Sequence, residues 1–256
     1  MSAWRVAVTG KGGTGKTTVA ALMVRGLAAR GKGPVLAVDA DPNTCLDMAL
    51  GMRAPATVGR VREEVREVAG KGLAVGTDKQ AMFEMKIAQS LVEGPAYDLI
   101  AMGRPEGPGC YCYANSVLKA VIARLAGSYR SVVIDNEAGL ENLSRRIAPE
   151  VDALVVVSDP SAQGLRTAGR LHGLASEMGI RYRTLALVVN RCRDGVVPES
   201  AAEIAAAIGA GPVTALPDDP ELARLAEAGG ELTALSAGNA VARGVDDLVD
   251  RLCGGV

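Results

Sequence analysis

The segment Gly10-Lys11-Gly12-Gly13-Thr14-Gly15-Lys16-Thr17 constrains this chain more than any other. It fits the pattern G-x-x-x-x-G-K-[ST]. It lies between an aliphatic run, Val6–Thr9, and an Ala-rich stretch, Thr17–Arg30, that reads as a helix. A strand, a glycine loop and a helix in that order make a cradle for phosphate. Glycines let backbone N–H groups converge on phosphate oxygens. The helix N-terminus adds its partial positive charge. Lys16 is placed to reach the β- and γ-phosphates, and Thr17 to hold Mg²⁺ through its hydroxyl. Gly12, Gly13, Thr14, Gly15, Lys16, Thr17 and Thr18 are the candidate nucleotide-binding residues.

A loop of this kind needs a parallel sheet around it, and the rest of the sequence supplies one. Short aliphatic runs recur at Val35–Asp39, Leu73–Val75, Leu99–Met102, Val132–Asp135, Leu154–Ser158, Leu185–Asn190 and Val213–Leu216. They show little polar/apolar alternation, which suits strands covered on both faces. The intervening stretches Ser116–Leu125, Gly164–Met178 and Ser200–Ile208 read as helices. Repeated β–α units imply an α/β, doubly wound, mostly parallel sheet with helices on both faces. With no internal repeat, low-complexity tract or Pro/Ser-rich linker, the chain reads as one domain, 1–256. Ligands bind such sheets beyond the carboxyl ends of the strands.

Composition narrows the partners. The chain has 256 residues, 48% of them hydrophobic and only 3% aromatic, so the core is aliphatic and base-stacking platforms are scarce. A formal net charge of -1 gives no global pull towards nucleic acid or anionic membrane. No apolar run reaches the length of a membrane span. The opening Trp4-Arg5-Val6-Ala7-Val8-Thr9 lacks the pattern of a signal peptide. The expectation is a cytoplasmic protein that engages neither membrane nor nucleic acid.

Carboxylates follow two predicted strands. Asp39-Ala40-Asp41-Pro42-Asn43 ends the second, and Asp135-Asn136-Glu137-Ala138-Gly139 follows Val132-Val133-Ile134. A carboxylate beside a γ-phosphate orients the attacking water or contacts Mg²⁺. Asp at such positions also caps turns and helices, and that reading stands beside the first. Asn190, and the segment Pro217-Asp218-Asp219-Pro220, end two further strands; ordinary turn chemistry accounts for either.

Cys110-Tyr111-Cys112 sits in a Gly/Pro-rich segment between a predicted strand and helix. Two thiolates suit soft or borderline metals such as Ni²⁺, Zn²⁺ or Cu⁺. A twofold axis would double the pair to four thiolates at a dimer interface. Two buried small hydrophobes are the alternative. Cys45, Cys192, Cys253 and the single histidine, His172, are solitary and read as packing or surface residues.

Lys11, second in the loop, makes a resemblance specific. Gly10–Thr17 resembles the deviant Walker A motif of the nitrogenase iron protein, MinD, ParA and ArsA family. The resemblance implies a homodimeric, Mg²⁺-dependent ATPase that binds ATP and ADP. Lys11 would then reach the partner's nucleotide, with Lys16 and Asp41 as the other catalytic residues. Asp41 would orient water in a first switch. Asp39 and Asp135 would stand with Thr17 on the Mg²⁺ side. The stretch after Asp135 would be a second switch, in which Asn136 and Glu137 have no assigned role. Asn190, Pro217 and Asp218 would contact the base.

Gly103–Asn115 and Asp135–Arg145 are further similar to the CooC-type accessory ATPases that mature nickel carbon monoxide dehydrogenase. That implies a metallochaperone: Cys110 and Cys112 bind one nickel ion shared by two chains, with zinc an alternative occupant, and the dehydrogenase is the client. Two rivals stand beside this reading. One is an electron-transfer ATPase with a shared iron–sulfur cluster, although Asp135–Arg146 contains no Cys. The other is a MinD/ParA-like positioning ATPase, although the tail Gly244–Leu252 is acidic rather than basic.

Overall fold

The computed structural model describes residues 3–61, 63–64, 85–86, 88–104, 119, 122, 125–139, 150–193 and 195–254. Seven strands form one sheet: β1 (Trp4–Gly10), β2 (Val35–Asp39), β3 (Tyr97–Ala101), β4 (Ser131–Asp135), β5 (Glu150–Ser158), β6 (Arg181–Cys192) and β7 (Val213–Pro217). Their spatial order is β3-β2-β4-β1-β5-β6-β7, and every pairing between them is parallel. Among the described residues the α-helices are α1 (Lys16–Ala29), α2 (Leu46–Ala49), α3 (Ala162–Glu177), α4 (Glu199–Ile208), α5 (Pro220–Glu227) and α6 (Ala240–Cys253).

The lack of polar alternation in the strands has a direct cause. Successive strand residues point to opposite faces, and both faces are covered. Val6, Val8, Val35, Ala37, Val133 and Val155 pack on one side with α1 and α6. Ala7, Leu36, Val38, Ile134, Leu154 and Val156 pack on the other with α3 and α4. Parity therefore places Asp39 and Asp135, in step with Ala37 and Val133, on the α1 side.

The sequence expectations hold for seven of the eight strands, with shifted ends; Leu73–Val75 and most of Ser116–Leu125 lie outside the described residues. β6 starts at Arg181, earlier than the aliphatic run suggested. Its first residues alternate between exposed and half-buried, so the pattern there is polar. α3 begins at the N-cap Ser161, whose hydroxyl accepts from the Gly164 N–H at 3.0 Å.

The order reverses at β1, which has β4 on one side and β5 on the other. The crevice at that reversal is where such sheets take ligands. No helix among the described residues is long and apolar enough to cross a membrane.

α6 is integral to this fold. Val241, Val245, Leu248, Val249 and Leu252 are buried along one stripe. Its acidic side holds Arg30 from the end of α1, through Asp246 at 2.7 Å and Asp250 at 2.6 Å. Leu248 is fully buried, so Leu248→Ala is expected to cost about 2–5 kcal/mol in urea unfolding. Arg30→Ala should cost less, because its partners are well exposed. A Leu248→Ala loss below about 1 kcal/mol would mean that α6 is not part of the core.

Candidate functional site

The site is built where β1, β4 and β2 end together. Val8 pairs with Asp135, and Asp135 pairs with Asp39 across the neighbouring strand. Two carboxylates thus stand side by side at the foot of the loop leaving β1.

The loop keeps its shape through two close approaches. Gly10 runs so near β5 that a Cβ there would collide with the Val157 carbonyl. Gly15 has φ 93°, and a Cβ there would collide with the Asn190 amide. Thr14 Oγ1 donates to the Lys11 carbonyl at 2.9 Å, and Lys16 Nζ reaches the same oxygen at 3.3 Å. Lys16 is largely buried at the loop's mouth, whereas Lys11, Gly12 and Gly13 are exposed. α1 follows its N-cap Gly15 with no side-chain cap, as α2 and α4 do, whereas α3, α5 and α6 are capped. Its first N–H groups carry no side-chain acceptor and face the glycine loop, where a phosphate could meet them. Thr17 and Thr18, in its first turn, are half-buried.

Asp135 is buried, and its Oδ1 has no hydrogen-bond partner. The Thr17 hydroxyl lies near enough to favour its charged form. Burial pushes Asp135 up to about 7, helped by the charge on Asp39 and opposed by Lys16. Burial likewise pushes Asp39 up to about 6. An orphaned buried acceptor between two crowded carboxylates fits a divalent cation, which would neutralise both.

Asp39 also organises the chain after β2. Its Oδ1 accepts from the Asp41 N–H at 3.0 Å, and its Oδ2 from the Cys45 and Leu46 N–H groups at 2.9 Å each. The turn-capping role is thus visible in the geometry. Asp41 lies close enough for its charge to be felt at Asp135. The chain after β4 is stitched to β1. Asn136 Nδ2 donates to the Val8 carbonyl at 3.0 Å, Thr9 Oγ1 to the Gly139 carbonyl at 2.6 Å, and the Gly139 N–H to the Gly10 carbonyl at 3.3 Å. Residues 136–139 therefore lie against the loop, and Asn136 gains a structural role that its sequence position did not reveal.

Asn190 is brought to the loop, but its amide is already engaged. Nδ2 donates to the Thr14 carbonyl at 2.9 Å, and Oδ1 accepts from the Arg191 N–H at 3.0 Å. Arg191 has φ 61°, a conformation rare for a side chain of its size, at an irregularity in the β6–β7 pairing. Pro217 ends β7, and the Asp218 N–H donates to the Cys192 carbonyl at 3.1 Å. Both therefore stand on the loop's rim of the sheet. Asp159, after β5, was not singled out from sequence. Its carboxyl is held below the usual range chiefly by the Ser161 hydroxyl, with Lys11 and Arg191 contributing. Cys110 and Cys112 lie outside the described residues. Cys45 is exposed, and burial and nearby carboxylates raise its thiol.

Comparison with known proteins gives a consistent result. Residues 6–232 match the CobQ/CobB/MinD/ParA nucleotide binding domain. An uncharacterised ATP-binding protein of Methanocaldococcus jannaschii is 38% identical over 248 residues, covering 96% of this chain and 97% of its own length. The carbon monoxide dehydrogenase accessory protein CooC of Rhodospirillum rubrum is 31% identical over 199 residues, covering 73% of this chain and 74% of its own. Among solved structures, the septum site-determining protein MinD from Pyrococcus horikoshii, complexed with Mg-ADP, superposes with a TM-score of 0.70 at 20% identity. That match covers 99% of this chain and 96% of the other.

The paired carboxylates give a pH signature in protein free of metal. Their folded pKa values lie above the unfolded 3.8, so the folded state holds protons that the unfolded chain releases. Their presence costs stability as pH rises from about 4 to about 7. With chelator present, Asp135→Asn should melt higher than wild type at pH 8 and alongside it near pH 4. Coincident melting curves at pH 8 would show that the pair is not strained.

Proposed function

We propose that this chain, which belongs to the CobQ/CobB/MinD/ParA family of nucleotide-binding proteins, is a homodimeric Mg²⁺-dependent ATPase that carries nickel and delivers it to a nickel-containing carbon monoxide dehydrogenase. The observation that carries the ATPase half is the row Val8, Asp135, Asp39 at the mouth of an uncapped glycine loop. The nickel half is supported by the CooC relative and by the Cys-x-Cys pair in the sequence.

In this reading the N–H groups of Gly12, Gly13, Thr14 and Gly15, with Thr18 in the first helical turn, hold the phosphates. Lys16 carries positive charge to the β- and γ-oxygens. Thr17 and Asp135 hold Mg²⁺, with Asp39 behind them. When bound, the ion neutralises charge on the phosphate oxygens. Asp41 orients the attacking water. Exposed Lys11 reaches the nucleotide of the second chain. Asn190, Pro217 and Asp218 form the rim nearest the base, which asks Asn190 to share its amide with the Thr14 carbonyl. Cys110 and Cys112 of two chains supply four thiolates to one Ni²⁺, with Zn²⁺ a competing occupant. Hydrolysis moves cargo only if the two nucleotide states differ in affinity for metal or client.

A positioning ATPase of the MinD or ParA kind is the second reading, favoured by the solved structures of that fold. In membrane-bound members of that class a free amphipathic helix is needed. The apolar face of α6 is instead packed in the core.

Two experiments test the proposal. Lys11→Ala and Lys16→Ala should each lower kcat by about 100-fold or more; wild-type turnover in either would sink the ATPase mechanism. Anaerobic nickel titration, with solution mass measured alongside, should give one ion per two chains. Cys110→Ser/Cys112→Ser should lose that binding. Cysteine-independent binding, or none, would leave the positioning reading in its place.

A further inference from the structure

A polar relay crosses from the end of β3 to the chain after β2. Asp41 Oδ1 accepts twice from Asn43, from its backbone N–H at 2.8 Å and from Nδ2 at 3.0 Å. Asn43 Oδ1 accepts from Arg104 Nη2 at 2.5 Å. The backbone that carries Arg104 is pinned on both sides. The Met102 N–H donates to the Asp39 carbonyl at 2.8 Å, and the Gly59 N–H to the Met102 carbonyl at 2.8 Å. Gly103 has φ 63°, and a Cβ there would collide with Thr57.

Donor chemistry fixes the direction of the relay. A guanidinium only donates, so Asn43 must turn its oxygen to Arg104 and its NH₂ to Asp41. The flipped amide would set oxygen against carboxylate and NH₂ against guanidinium. Arg104 thereby reinforces the amide orientation that Asp41 also favours, and the amide adds to the hold of the Asn43 backbone N–H on Oδ1. Oδ1 is anchored, and no hydrogen bond among the described residues engages Oδ2. We propose that Asn43 and Arg104 are positioning residues for Asp41, so that ATP hydrolysis depends on a side chain from beyond β3. This rests on Asp41 being the carboxylate that orients water.

The relay is tested by single-turnover ATP hydrolysis together with ATP affinity. Asn43→Asp keeps a partner for Arg104 but removes the side-chain donor to Asp41 and sets a second carboxylate beside it, leaving the backbone N–H in place. It should lower the hydrolysis rate by about 10–100-fold with KM unchanged. Arg104→Ala should lower it by about 3–10-fold, the worth of one hydrogen bond. Arg104→Lys, still donor-only, should recover part of that loss. Neither Asn43→Ala nor Arg104→Ala should slow the protein further once Asp41→Ala is present. Intact nucleotide affinity in each variant certifies its fold. Unchanged rates in the Asn43 and Arg104 variants, with Asp41→Ala inactive, overturn the relay and leave Asp41 in place. So do a raised KM at constant rate, or losses that persist in the Asp41→Ala background. Wild-type turnover in Asp41→Ala overturns the relay and the assignment of Asp41 together.

Discussion

Asp39 and Asp135 stand opposite each other on neighbouring parallel strands, walled by aliphatic side chains and with one oxygen lacking any partner. Burial strips both carboxylates of hydration, which is chiefly why both are pushed towards neutral pH; the charge on Asp39 adds to this at Asp135, and that on Asp41 at both. Apolar surroundings cannot relieve this; a cation can. The uncapped α1 N-terminus and Lys16 then add positive charge where a phosphate would sit. The fold thus keeps apart negative and positive groups that a metal–nucleotide complex would join. Everything else in the site serves to hold these groups in register.

The holding is done by backbone more than by side chains. The chain leaves β1 through Gly10, against the Val157 carbonyl, where no other residue fits. It enters α1 through Gly15, under the Asn190 amide, which is itself aimed by a left-handed Arg191. Strain of this kind costs of order 1–3 kcal/mol and persists where neighbouring structure enforces it. Here the β6–β7 pairing on either side of the irregularity does so. Asn136 and Thr9 complete the arrangement by tying the chain after β4 to β1.

What the sequence disclosed follows from which forces are local. Gly10–Thr17 was legible because a phosphate cradle needs consecutive residues. The strands were legible because burial on both faces removes polar residues from them. Asp135 and Asp39 were legible by lying at strand ends, and α1-side parity made them neighbours. The work of Asn136 was not legible, because its partner is distant in sequence. Asn136 bonds across 128 positions, and no local pattern encodes that. Asn190 shows the limit from the other side: the strand runs on past it to Cys192, and the Thr14 carbonyl that holds its amide is 176 positions away. One overlooked signal was available, since a capping Ser161 soon after an aspartate ending a strand announces an anchored helix entry.

A cargo-carrying ATPase has to make hydrolysis and cargo feel each other, and the coupling must be reciprocal in free energy. The fold offers a short covalent route for this. The segment that continues towards Cys110 and Cys112 leaves the sheet at Met102, whose N–H is bonded to the Asp39 carbonyl. Two residues later Arg104 orients Asn43, and Asn43 holds Asp41. A pull on that segment would therefore act on the backbone of Asp39 and, through Asn43, on Asp41, the two residues to which the proposed function gives the Mg²⁺ side and the attacking water. Movement of either on nucleotide binding would be returned along the same bonds. β2 and β3 are paired along their full length, so the sheet resists such motion and the polar contacts beyond its edge yield first. The hydrogen bonds from Arg104 to Asn43 and from Asn43 to Asp41 are all exposed. They are contacts that can break without unfolding the sheet, as a switch between two states would require.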